Sequence, residues 1–122
     1  MMEKTDPLKE KSRAFAIRIV RLYQHLTEKK KEFVLSKQLL RSGTSIGANR
    51  AEAQYACSEK DFLLKNTIAL KECAETIFWL DLLHATDYLT SKQFVSMNAD
   101  CEELLKMLIA TTRTLKDKSA LS

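Results

Sequence analysis

The chain has 122 residues, of which 45% are hydrophobic and 30% are charged, and its formal net charge is +4. This length fits one domain with a single core, so we do not expect linkers or a second domain. Only two glycines and one proline occur, so the chain lacks the turn-forming residues that a sheet of short strands requires. We therefore expect an all-α fold made of a single domain over residues 1–122.

The three cysteines, Cys57, Cys73 and Cys101, are odd in number and form no CxxC pair. This spacing predicts neither a disulfide framework nor a zinc site, and free thiols packed as small apolar residues suit a reducing cytoplasm. The N-terminal segment is charged, and no stretch approaches the roughly 20 apolar residues that cross a bilayer. We expect a cytoplasmic protein with no signal peptide, no membrane contact, no metal and no cofactor.

The first helix is predicted over about residues 7–26. Asp6 is a good N-cap residue, and Pro7 suits the first helical position because a donor is not needed there. An apolar face follows at helical spacing, formed by Leu8, Phe15, Ile19, Leu22 and Leu26. The charged loop TEKKKE then leads to a second helix, predicted over about residues 33–56.

The third and fourth helices are predicted over about residues 59–86 and 91–116. Ser58 with Asp61 and Thr90 with Gln93 have the spacing of capping boxes at the two starts. Helix 4 carries one narrow apolar seam, whereas helix 3 is apolar around most of its circumference. The apolar residues of helix 3 are Phe62, Leu63, Leu64, Ile68, Leu70, Ile77, Phe78, Trp79, Leu80, Leu82 and Leu83. Such a helix must be covered on most sides, so we expect part of it to contact another subunit.

Helix 2 carries a ribbon of polar residues at the spacing that normally marks a buried seam. The ribbon consists of Gln38, Ser42, Ser45, Asn49 and Glu52. Two interpretations remain open: a binding surface, or an internal hydrogen-bond network. In such a network, a buried Glu52 paired with Arg41 or Lys71 would fix the register between subunits.

A line of small residues, Gly43, Gly47 and Ala51, recurs every four positions along the same helix. Each glycine weakens the helix by about 1 kcal/mol relative to alanine. The line predicts close packing against a second backbone. A phosphate-binding loop is not expected, because the GxxxxGK spacing and a preceding strand are both missing.

Positive charge is concentrated in the first half of the chain. Residues 1–57 hold twelve Lys and Arg against six Asp and Glu, whereas residues 58–122 hold eight against ten. Helix 1 carries a basic stripe that begins at Lys4 and continues through His25. The predicted nucleic-acid-binding residues are Lys11, Arg18, Arg21, Lys29, Lys30 and Lys31. The alternative is an ordinary solvated face of the helix.

With these residues in place, the chain resembles the four-helix-bundle proteins encoded by intervening sequences within bacterial 23S rRNA genes. The resemblance covers nearly the full length and is most specific in helix 2, which follows the pattern S-I-x-x-N-I-A-E. The residues that carry it are Arg41, Ser42, Ser45, Ile46, Asn49, Ala51 and Glu52. Arg50 departs from the pattern, where isoleucine is usual, and we expect it to add a charge to a commonly apolar face.

The resemblance implies an up-down four-helix bundle that assembles as a homopentameric barrel. That family is also similar to the accessory variability determinant of diversity-generating retroelements, a pentameric basic barrel that binds nucleic acid and a reverse transcriptase. By this similarity, a ring of five basic stripes would contact RNA or DNA.

Catalysis is not expected from this sequence. His25 and His84 fall on different helices without a neighbouring nucleophile in a recognisable pattern. Glu72 and Glu75 lie one turn apart, but the ExxH pairs of di-metal bundles are missing. We therefore predict a non-catalytic oligomeric scaffold that binds RNA or another nucleic acid. The alternative function is an adaptor that docks a separate protein partner.

Overall fold

The computed structural model describes residues 5–120, so Lys4 of the predicted basic stripe lies outside the described residues. Within this range the chain forms four α-helices and no strand, which confirms the all-helical prediction. The helices are α1 (Pro7–Glu28), α2 (Leu35–Ala53), α3 (Glu59–Ala85) and α4 (Ser91–Ala120).

Each helix packs against the next one along the chain, and α4 also contacts α1, although less extensively. Because the connections are short, consecutive helices run antiparallel, as in up-down four-helix bundles. The α1–α2 and α3–α4 loops therefore lie at one end of the bundle, and the α2–α3 loop lies at the other. Within residues 5–120, none of the helices has the length and apolar character that crossing a membrane demands.

Local capping explains three of the four helix starts. The Asp6 carboxylate accepts the Lys9 N–H at 3.0 Å, as the sequence predicts. Thr90 and Gln93 form a reciprocal capping box, with bonds of 2.9 and 3.1 Å. At α3, the Ser58 hydroxyl accepts the Asp61 N–H at 3.0 Å.

The start of α2 is set by Glu32, which the sequence analysis placed near the first residue of the helix. The helix instead begins at Leu35, and the Glu32 carboxylate accepts the N–H groups of Val34, Leu35 and Ser36 at 3.0, 2.9 and 2.6 Å. These are the donors that a helix N-terminus leaves without intrahelical partners. The preceding residue, Lys31, has a left-handed backbone with φ of 55°, which reverses the chain direction after α1.

The core lies along the bundle axis and takes large apolar side chains from all four helices, with the largest share from α1. The predicted apolar face of α1 is buried along its whole length, from Leu8 to Leu26. Cys73 and Cys101 are buried free thiols where α3 meets α4. Cys57 is exposed in the α2–α3 loop, which corrects the expectation that all three thiols are packed.

Two glycines of α2 allow α1 to approach closely, and the helix continues without a break through both. A Cβ atom at Gly43 would lie 2.6 Å from Ile19 Cγ1, and one at Gly47 would lie 3.3 Å from the Ser12 carbonyl oxygen. Ala51 is exposed, so within the protomer the contact line formed by these small residues ends at Gly47.

Candidate nucleic-acid interface

The predicted basic stripe of α1 divides into two parts with different electrostatic surroundings. In the first part, Lys11 forms an ion pair with Glu103 of α4, and Arg18 pairs with Asp100. The Arg18 guanidinium also donates to the Ser96 hydroxyl at 2.8 Å. These two cations therefore hold α1 against α4, and their charges are largely balanced within the protomer.

The second part of the basic surface consists of exposed side chains with no such partners. We name Arg21, Lys29, Lys30 and Lys31 the unpaired basic surface. All four are exposed, and none makes an ion pair or a side-chain hydrogen bond within residues 5–120. Arg21 lies in the second half of α1, and the three lysines follow directly after the end of the helix.

Sequence reasoning did not identify the acidic partners of Lys11 and Arg18. A signal was available, because Asp100 and Glu103 are three residues apart and share a face of α4. Lys11 and Arg18 are seven residues apart and share a face of α1. Matching the two pairs requires knowing that α4 neighbours α1 and at which register, and neither is visible in the sequence.

A groove of about 390 Å³ runs between α1 and α4 beside the unpaired basic surface. Leu22 and Met97 are buried at its base, and Ile17 is 45% exposed at its edge. The polar residues that line the groove are Arg18, Arg21, His25 and Gln93. The His25 Nε2 atom is buried and has no hydrogen-bond partner within residues 5–120.

The residues of the polar ribbon of α2 do not form one continuous hydrogen-bond network. Among the hydrogen bonds of the ribbon within residues 5–120, one joins two helices: the buried Ser42 hydroxyl accepts a bond of 2.9 Å from Thr76 of α3. The side chains of Ser45 and Asn49 bond to carbonyl groups of their own helix, at 3.1 and 2.8 Å. Gln38 is exposed.

Within the protomer, Glu52 pairs with neither Arg41 nor Lys71. Its side chain is 60% exposed and lies 3.8 Å from Lys65, because position 52 falls on the outer side of α2. Arg41 instead pairs with Glu72 and Glu75 of α3 within the same protomer. The hydrogen bond from Arg41 is the main cause that holds the pKa of the Glu75 carboxyl below its usual value, and Glu75 in turn raises the pKa of Arg41.

Arg50 has a structural role that the sequence analysis missed. Its side chain is only 14% exposed, so the charge that we expected on a helix face is mostly buried. The guanidinium donates to the buried Asn66 side chain at 2.7 Å and to Asp6 at 3.3 Å, and it lies over the Phe62 ring. It thereby joins the C-terminal half of α2 to the starts of α1 and α3.

The remaining histidine, His84, is held in the bundle by local contacts. Its ring stacks on Phe94 with centroids 4.5 Å apart, and Nε2 lies 3.2 Å from the Ser91 hydroxyl. Within residues 5–120, no group of three or more His, Cys, Asp or Glu side chains is arranged to hold a metal ion.

Comparison with known proteins places this arrangement in a family. The crystal structure of a protein of unknown function from the S23 ribosomal protein family of Bacteroides thetaiotaomicron VPI-5482 is similar, with a TM-score of 0.85. The two chains share 54% identity, and the similarity covers 86% of this chain and 97% of the other. No curated protein matches this chain.

The sequence profile of the 23S rRNA-intervening sequence proteins matches residues 7–110. The matched region begins at the start of α1 and extends well into α4, so it includes the basic stripe from Lys11 onward, the polar ribbon and most of the core. The resemblance noted in the motif of α2 is thereby confirmed. The protein belongs to the 23S rRNA-intervening sequence protein family.

Proposed function

We propose that this protein is a non-catalytic, oligomeric, cytoplasmic scaffold that binds RNA or another nucleic acid through its unpaired basic surface. The observation that carries the proposal is the contrast within the stripe. Lys11 and Arg18 are balanced by acidic side chains of α4, whereas Arg21 and Lys29–Lys31 are exposed without acidic partners in the described chain. Exposed cations of this kind bind phosphates and release counterions.

The backbone at Lys31 supports a role for its charge. This position follows α1 in the left-handed conformation, where glycine is the usual residue because a Cβ atom is disfavoured there. Compared with glycine, a lysine at this position adds a positive charge but makes the folded state less stable. Residues held in such conformations are concentrated at functional sites.

Oligomer formation is supported by the outer face of α3. Leu64 is 54% exposed and Phe78 is 55% exposed. They lie about four helical turns apart on the same side of the helix, and Lys71 is midway between them. Large apolar side chains in such positions are typical of subunit interfaces. The homopentamer implied by the resemblance would cover these residues and repeat the unpaired basic surface around a ring.

A pair of glycine substitutions tests the binding role. Lys31→Gly is expected to stabilise the fold by about 0.5–1 kcal/mol and to weaken binding of a structured RNA at low salt. Asp87→Gly is the matched control, because Asp87 lies in the other loop at the same end and also has a left-handed backbone, with φ of 70°. Asp87→Gly is expected to leave RNA affinity undiminished, since it removes a negative charge.

Charge reversal gives a second test. The double variant Lys29→Glu and Lys30→Glu is expected to make the slope of log affinity against log salt shallower by about 1.4. Lys60→Glu with Lys116→Glu changes the net charge equally, and these residues lie at the opposite end of the bundle. Equal losses from the two double variants would show that net charge, and not the unpaired basic surface, drives binding. No binding of any RNA at low salt would refute the function.

A further inference from the structure

We propose that the groove between α1 and α4 seats one unstacked base of a single-stranded RNA, while the unpaired basic surface follows the neighbouring phosphates. This inference rests on the proposed function and specifies its ligand. The groove has a volume of about 390 Å³, within the range of pockets that hold small organic groups. It opens directly beside Arg21, which lines it.

The lining suits the two chemical parts of a nucleobase. The buried side chains of Leu22 and Met97 offer an apolar base against which the flat face of a nucleobase can pack. His25 also lines the groove. Gln93 uses its Oε1 atom to cap α4 by accepting the Thr90 N–H, so its amide NH₂ group remains as a donor for a base edge.

The unpaired basic surface extends away from the groove: Arg21 lines the groove, and the consecutive Lys29, Lys30 and Lys31 lie beyond the end of α1. Eight residues separate Arg21 from Lys29, which corresponds to a rise of about 12 Å along α1. A surface of this length can follow successive phosphates, whereas one phosphate or carboxylate would use only one end of it. The charge pattern therefore favours a polyanionic strand over a small anion.

The apolar base of the groove favours a single strand over a duplex. In an A-form helix the bases are stacked, the major groove is too narrow for side chains, and the minor groove shows only base edges. The face of a base can reach Leu22 and Met97 only after it has left the stack. Single-stranded loops and ends provide such bases without the free-energy cost of unpairing.

The experiment uses the full chain and an RNA strand of about 12 nucleotides with one central 2-aminopurine. We expect tighter binding of the single strand than of its duplex, and a rise in 2-aminopurine fluorescence when the base leaves its neighbours. Ile17→Asn removes an apolar side chain at the groove edge and is expected to weaken single-strand affinity about fivefold and to abolish the fluorescence rise.

Val20→Asn is the matched control, because Val20 lies on α1, is 39% exposed and does not line the groove. Helicity and thermal melting of both variants are compared first. Gln93→Ala provides a second groove variant if Ile17→Asn unfolds. Equal affinities for single strand and duplex, or equal effects of the two asparagine variants, would overturn the groove while leaving the unpaired basic surface in place. Failure of every RNA to bind at low salt would overturn both proposals.

Discussion

Replacing Glu32 with glutamine tests how α2 is held at its start. The carboxylate of this buried residue accepts N–H groups from Val34, Leu35 and Ser36, with distances of 2.6 to 3.0 Å. Glutamine keeps the length of the side chain and one acceptor oxygen. It loses the negative charge that faces the positive end of the helix dipole and directs an NH₂ group toward N–H donors. We expect a loss of about 2 kcal/mol in the free energy of unfolding.

The pH dependence of this loss gives a sharper test. Burial alone raises the pKa of the Glu32 carboxyl, but the backbone N–H bonds outweigh it, so the net pKa lies below the usual value of 4.5. A carboxyl whose pKa is lower in the folded state contributes its full stability above the pKa of the unfolded state. That contribution disappears as the pH falls through the folded-state pKa. Glutamine does not titrate. The difference in free energy of unfolding between wild type and Glu32→Gln is therefore constant near neutrality and becomes smaller below pH 4.5.

This difference is measured by urea unfolding and thermal melting between neutral and acidic pH. For a chain of 122 residues, about 2 kcal/mol corresponds to a fall in Tm of roughly 8 °C. Glu28→Gln is the control, since this exposed residue at the end of α1 makes the same charge change. An unchanged Tm for Glu32→Gln, or a difference that persists at acidic pH, would refute the proposed cap.

Three further outcomes follow from the packing of the bundle. Gly43→Ala is expected to lower the free energy of unfolding by about 1 kcal/mol because its Cβ atom would overlap buried Ile19. Gly47→Ala is expected to change stability little, because the added Cβ atom is less crowded and alanine has the higher helix propensity. Equal urea midpoints for the two variants would contradict this account. Arg50→Met is expected to destabilise the fold by about 2–3 kcal/mol in the same assay, because Asn66 loses its charged donor, and an unchanged midpoint would show that the contact is unimportant. Thiol labelling of the native protein should modify Cys57 alone, and Cys57→Ser should abolish it. The hydrogen bond with Cys73 and burial raise the pKa of the Cys101 thiol and keep it unreactive, so rapid labelling of Cys57→Ser would contradict the packing of α3 on α4.

The sequence by itself determined the number of helices, the starts of α1, α3 and α4, and the buried face of α1. These properties depend on interactions within a few residues: Asp6 and Ser58 cap the helices that follow them, and Leu8 to Leu26 repeat at helical spacing. Such signals are complete in the local chain, because both partners of each interaction lie within one or two helical turns.

Only the tertiary structure decided which charges are free to bind. In the sequence, Lys11 and Arg21 are both cations of the same helix. In the structure, Lys11 forms an ion pair with Glu103, whereas Arg21 is exposed beside a groove. The sequence analysis expected Arg50 only to add a charge to a commonly apolar face, and the structure shows that this charge contacts Asp6 and Asn66. The physical reason is that pairing and burial depend on which helices become neighbours and on their axial register. The side chains that determine which helices are neighbours, and at which register, are distributed over the entire chain.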